Sequence, residues 1–172
     1  VSFSYLADSL EELLSHLHIE KCLLVGHSDG ANLAIEFAKL HGKRVAGIIA
    51  NSGNISFDGL KFLPKYACFF EEYLYKALGI FFPVFKRKSV VSPLLHESLD
   101  ISKDTFKNAD YPVIVLVGEC DMIKRSHSIS ISKLFPHGKF IERKNQGHNI
   151  PKKDSIYFNK TVYKFVQYIS RR

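Results

Sequence analysis

Cys22 to Leu40, CLLVGHSDGANLAIEFAKL, joins a short continuous apolar run to a helical repeat through the turn Gly26-His27-Ser28-Asp29-Gly30. A short apolar run bounded by turn residues suits a strand buried on both faces, and Cys22 to Val25 is such a run. Ala31, Ala34, Ile35 and Ala38 then recur on one helical face. They are mostly small, which lets a helix lie close against a sheet. Val45 to Ala50, VAGIIA, predicts the next strand. Strand, helix and strand in this order restrict the chain to a parallel sheet with crossover helices.

The rest of the chain largely extends the pattern. Phe3, Leu6, Leu10, Leu13, Leu14 and Leu17 predict an amphipathic helix over Ser2 to Leu17. YPVIVLV, Tyr111 to Val117, reads as a strongly apolar strand and KFIE, Lys139 to Glu142, as a weaker one. Phe158, Val162, Phe165, Val166 and Ile169 mark a helix near the C-terminus. Between Lys124 and Leu134 the signals conflict, because Ser128-Ile129-Ser130-Ile131 alternates like a strand where parallel topology needs a helix.

Residues 56–104 interrupt the repeat. Phe62, Tyr66, Phe69, Phe70 and Tyr73 share one helical stripe, followed by GIFFPVF. This segment reads as a helical cap inserted between two core strands, with ordinary core as the alternative. The expected fold is α/β: an open, mainly parallel sheet with flanking helices and a cap insertion, in one domain over residues 1–172.

Composition excludes several classes. No run of 18 or more apolar residues is present, so no integral membrane segment is expected. VSFSYLADSLEELL carries three acids and does not read as a signal peptide. Three cysteines at wide spacing, Cys22, Cys68 and Cys120, form no CxxC, so no metal is expected, and the expected location is intracellular, cytoplasmic. The net charge of +7 is scattered in short pieces such as Lys86-Arg87-Lys88. No nucleic-acid motif accompanies it, so the expectation is a solvated basic surface and no nucleic-acid partner.

The chemistry centres on the turn. A G-x-S-x-G match alone arises by chance roughly once in twenty chains of this length. Here, however, it follows an apolar strand and opens a helix, the setting of a nucleophile elbow. Ser28 is then the candidate nucleophile, with Gly26 and Gly30 expected where side chains would come too close. The helix start offers unpaired N–H groups, so the Asp29 N–H is the expected oxyanion donor.

A serine needs a base. His148 lies in NQGHNIP, a loop following a strand, where active-site loops of open α/β sheets converge. His27, adjacent to Ser28, is expected to point elsewhere as a packing residue. Asp121 follows the strand ending at Val117 and reaches the same edge, with Glu119 as its local competitor. The candidate set is Ser28, Asp121 and His148, in the order Ser, Asp, His.

LLVGHSDGANLAIEFA, PVIVLVGECDMI and NQGHNIP together resemble the α/β-hydrolase superfamily over nearly the whole chain. The resemblance implies Ser28 as nucleophile, His148 as general base and then acid, and Asp121 as its orienting carboxylate. It implies acyl transfer to water through an acyl-serine, without metal or organic cofactor, on a small-molecule acyl substrate. Esters lead, while thioesters, amides and some carbon–carbon bonds stay open. Phe69 or Phe81 in the pocket would suit apolar acyl or aromatic substrates.

One departure is that the family has further strands before the helix leading into the elbow, one ending in a loop with the second oxyanion donor. This chain starts at Val1 on that helix. The expectation is therefore a fold lacking its N-terminal strands, with an unpaired edge on the elbow strand. A non-catalytic small-ligand-binding module and an inactive truncated fragment remain as alternatives. Substrate and oligomeric state are not fixed by the sequence.

Overall fold

The computed structural model describes residues 1–172 apart from Phe81, and at positions 65, 68, 69, 71, 79, 87, 91 and 95 it describes backbone alone. The expectations placed on Cys68, Phe69 and Phe81 therefore lie outside the described residues.

Four strands form the sheet: β1 (Cys22–His27), β2 (Val45–Asn51), β3 (Val113–Gly118) and β4 (Gly138–Arg143). They are hydrogen-bonded in the order β1-β2-β3-β4, and every pairing is parallel. Leu24 faces Ile48, Ile48 faces Val113, and Val113 faces Gly138 across the sheet. The seven helices among the described residues are α1 (Phe3–His16), α2 (Asp29–His41), α3 (Phe62–Gly79), α4 (Pro83–Val91), α5 (Arg125–Ser132), α6 (Ile150–Lys153) and α7 (Ser155–Ile169). This is the α/β class expected, an open parallel sheet with helices on its faces.

Burial explains the layers. On one face Ala7 and Leu14 of α1, Ala31, Ala34, Ile35 and Ala38 of α2, and Ile131 of α5 pack with Ile48, Ala50, Val113 and Val115 in one apolar cluster. The small residues of α2 bring its axis close to the sheet, as their pattern predicts. α7 covers the other face, where Phe165 is buried and its ring, with Ile169, closes over Gly47 of β2.

The boundaries differ from the sequence reading in instructive ways. β1 continues through Gly26 and His27, because Gly26 pairs with Ala50 and His27 with Asn51. The contested segment is helical: Ser128, Ile131 and Ser132 of α5 are buried at the i, i+3, i+4 spacing of one helical face. The alternation of Ser and Ile there is incidental to that face. Between β2 and β3 the chain leaves the sheet for α3 and α4, which pack on each other, with 3₁₀ turns at Phe57–Gly59 and Ser92–His96. Among the described residues no helix is long and apolar enough to cross a membrane.

Parallel strands with helical crossovers put all four strand C-termini at one edge of the sheet. Each of the four following loops delivers one polar side chain there: Ser28, Ser52, Asp121 and His148. That convergence is what the fold contributes to the site.

Candidate active site

Ser28 stands between β1 and α2 with φ 54° and ψ −120°, a left-handed conformation that a residue with a Cβ adopts only under constraint. Its N–H donates to the Asn51 carbonyl at 2.9 Å, tying the turn to the end of β2. Gly26 makes the turn possible: a Cβ there would stand 2.1 Å from the Gly30 carbonyl oxygen. Gly30 differs from the expectation. A Cβ on it would meet nothing within 4 Å, so it is the Gly30 backbone, not the missing side chain, that crowds the turn. Asp29 opens α2, so its N–H has no intrahelical acceptor.

The three candidate residues come together. His148 Nδ1–H donates to Asp121 Oδ1 at 2.8 Å, and the Ser28 hydroxyl donates to His148 Nε2 at 3.0 Å. The aspartate fixes the tautomer, since a proton on Nδ1 leaves Nε2 as the acceptor facing Ser28. Gly118 lets the histidine loop lie on the end of β3, where a Cβ would stand 2.3 Å from the Gly147 carbonyl oxygen. The Cys120 N–H donates to the Gln146 carbonyl at 2.8 Å and holds the loop there.

Asp121 is 2% exposed and fully engaged. Its Oδ1 also accepts the Ile123 N–H at 3.1 Å, and its Oδ2 accepts the Ser52 hydroxyl at 2.7 Å. Burial pushes its carboxyl upward, but the hydrogen bonds from His148, Ser52 and Ile123 outweigh that and hold it below the usual carboxylate value. Glu119, the competitor, turns away and accepts the Asn145 N–H at 2.9 Å.

Ser52 is the residue that motif reasoning missed. It is buried at φ 56°, the second non-glycine in the site held in left-handed backbone. Its hydroxyl also lies 3.0 Å from the His148 carbonyl and accepts the Asn51 side-chain amide at 2.8 Å. The available signal was position, because Asn51-Ser52 is the first polar pair after an apolar strand at the edge where Ser28 was sought.

His27 also departs from expectation. It is half-buried, and its ring does not point away: it lies 5.1 Å from the His148 ring. Burial, followed by the charge of His148, lowers its pKa below the usual histidine value.

The cavity at Ser28 and His148 is small, about 60 Å³, and is lined also by Asn32, Asn54, Leu60, Leu94, Glu97 and Met122. A larger groove of about 740 Å³ runs between α7 and the first residues of β3 and β4, sharing no lining residue with it. Among the described residues no group of three or more His, Cys, Asp or Glu is arranged to hold a metal.

No protein-family model matches the sequence, and no curated protein matches it significantly. Solved structures do match. An α/β-fold hydrolase from Bacillus anthracis superimposes with a TM-score of 0.69 at 18% identity, over 95% of this chain and 74% of that one. The chain has the α/β-hydrolase fold. Within this α/β-hydrolase fold it is also similar to a meta-cleavage product hydrolase from Pseudomonas fluorescens, with a TM-score of 0.73 at 17% identity over 97% of this chain and 72% of that one. A thermophilic esterase from Thermogutta terrifontis aligns with a TM-score of 0.69 at 20% identity, over 98% and 73% of the two chains. The chain thus spans about three quarters of the length of these α/β-hydrolase-fold structures.

Proposed function

We propose that the protein is a serine-dependent hydrolase acting on esters or related acyl compounds through an acyl-serine intermediate. The observation that carries this reading is the unbroken chain from Ser28 Oγ through His148 to Asp121, at 3.0 and 2.8 Å, at the N-terminus of α2. Esterases and hydrolases among the structures sharing the fold support the reaction class.

In this reading His148 Nε2 takes the Ser28 proton as Oγ attacks the acyl carbon, and the imidazolium is stabilised by Asp121. The carbonyl oxygen becomes an oxyanion facing the Asp29 N–H and the positive end of α2. His148 then returns the proton to the leaving oxygen, and water reverses the sequence to free the acid and Ser28. No step calls for a metal or organic cofactor.

A fluorophosphonate probe tests the nucleophile directly. Intact mass should show single labelling of the parent and none of Ser28→Ala. A folded parent that stays unlabelled would remove the catalytic reading.

A further inference from the structure

α3 turns an apolar face to water. Phe62, Leu63, Tyr66, Phe70 and Tyr73 are 59–79% exposed. At about 100° per residue they fall within about 100° of arc on one side of the helix. The exposed apolar series continues past the helix through Ile80, Phe82 and Val84. The contact between α3 and α4 uses other residues, with the Tyr75 and Phe85 rings 6.0 Å apart and the Lys88 ammonium 5.0 Å above the Tyr75 ring. Among the described residues the exposed side chains of α3 make none of these contacts, although Phe82 of the continuation meets the Phe85 ring at 6.1 Å. A contiguous apolar face of this extent marks an interaction surface.

Charge selects the partner. Positions 61–91 carry six Lys or Arg and only two Glu. Glu72 is already committed to Lys76 and His96, each at 2.6 Å. The segment as a whole is net positive, so an anionic lipid surface complements it, whereas a second copy of the same segment brings like charges together. Aromatic and aliphatic side chains beside lysines are the chemistry of a helix lying in the headgroup region. Neither helix is long and apolar enough to cross a bilayer, so the face would lie on it.

We propose that the exposed face of α3 and its continuation through Val84 dock the protein on anionic lipid bilayers. Leu60 and Leu94, which line the Ser28 cavity, stand just before α3 and just after α4 in the chain, so the docking element is joined to the site at its base.

The test is flotation of the full chain with vesicles of phosphatidylcholine alone and with about one-third phosphatidylglycerol. Flotation should be at least about tenfold greater on the anionic vesicles and should fall steeply with added salt. Phe62→Ser with Phe70→Ser and Tyr73→Ser, all exposed, should abolish it while circular dichroism stays unchanged. Lys61→Glu with Lys86→Glu, both exposed, should reduce it on anionic vesicles. Ser28→Ala should float like the parent, so a failed hydrolase reading leaves this result intact. No flotation of the parent, equal flotation on neutral vesicles, or flotation indifferent to both sets of changes would overturn the proposal. So would a parent that fails to float but forms a dimer abolished by the triple change, which would assign the face to a second copy.

Discussion

Two residues of the site sit in left-handed backbone without being glycine, Ser28 and Ser52. Ser28 is held by its bond to Asn51 and by the close approach of Gly26 to Gly30. Ser52 is held by the carboxylate it serves, so it is a positioning residue for Asp121. Ser52→Ala should lower kcat about ten- to a hundredfold, the worth of one hydrogen bond to a charged group, with KM nearly unchanged. Steady-state kinetics on a small ester would separate the two. A loss confined to KM would mean that Ser52 acts on the substrate instead. Asp121 carries a pH signature. Its carboxyl is held below its usual value by folding, so its ionisation stabilises the folded protein above the unfolded carboxylate pKa, about 3.9. That stability is lost as pH falls through the lower folded value. Urea unfolding across the acid range should show the parent's advantage over Asp121→Asn narrowing below about pH 4. That Ser28, Asp121 and His148 meet could be read ahead because each follows a strand at the same sheet edge. Ser52 was not legible in this way, since a serine after a strand is common and only the contact with Asp121 gives it meaning. Gly30 was misread for a related reason: a motif glycine says that space is tight without saying whose space.

Elements were legible in proportion to how far their neighbours dictate them. β2 and β3, buried on both faces, are continuous apolar runs and were read to within two residues at each end. β1 was cut short because Gly26 and His27 look like turn residues, yet they complete the ladder to Ala50 and Asn51. α5 was ambiguous because only the sheet decides which of its serines are buried. α6 is a single turn, below the reach of periodicity. α7 offers an element-scale test. Phe165 is 5% exposed and is the only buried residue of α7, so it anchors the helix to the sheet. Phe165→Ala should cost about 3 kcal/mol, the low end for a buried aromatic. The neighbouring groove of about 740 Å³ favours the low end because it lets the surroundings relax into the vacated space. Urea denaturation of the two proteins gives the difference, and a cost under about 1 kcal/mol would mean that α7 is held elsewhere.

At the scale of the molecule, one sheet edge unites residues far apart in sequence. Ser28 and His148 are 120 positions apart, and Ser52 and Asp121 are 69 apart. Such distant pairings close long loops and form late when a parallel sheet folds. No partial sheet contains the site: β1 and β2 alone hold Ser28 in its turn, but His148 meets it only when β4 is laid against β3. Under the proposed hydrolase reading, the reactivity of Ser28 is therefore a clock for the completion of the fold. In refolding from urea, capture of Ser28 by a fluorophosphonate should lag behind the return of helical circular dichroism. Coincidence of the two would show that the strands assemble together. A lag would mean that the molecule spends part of its folding time with its architecture largely present and its nucleophile still silent.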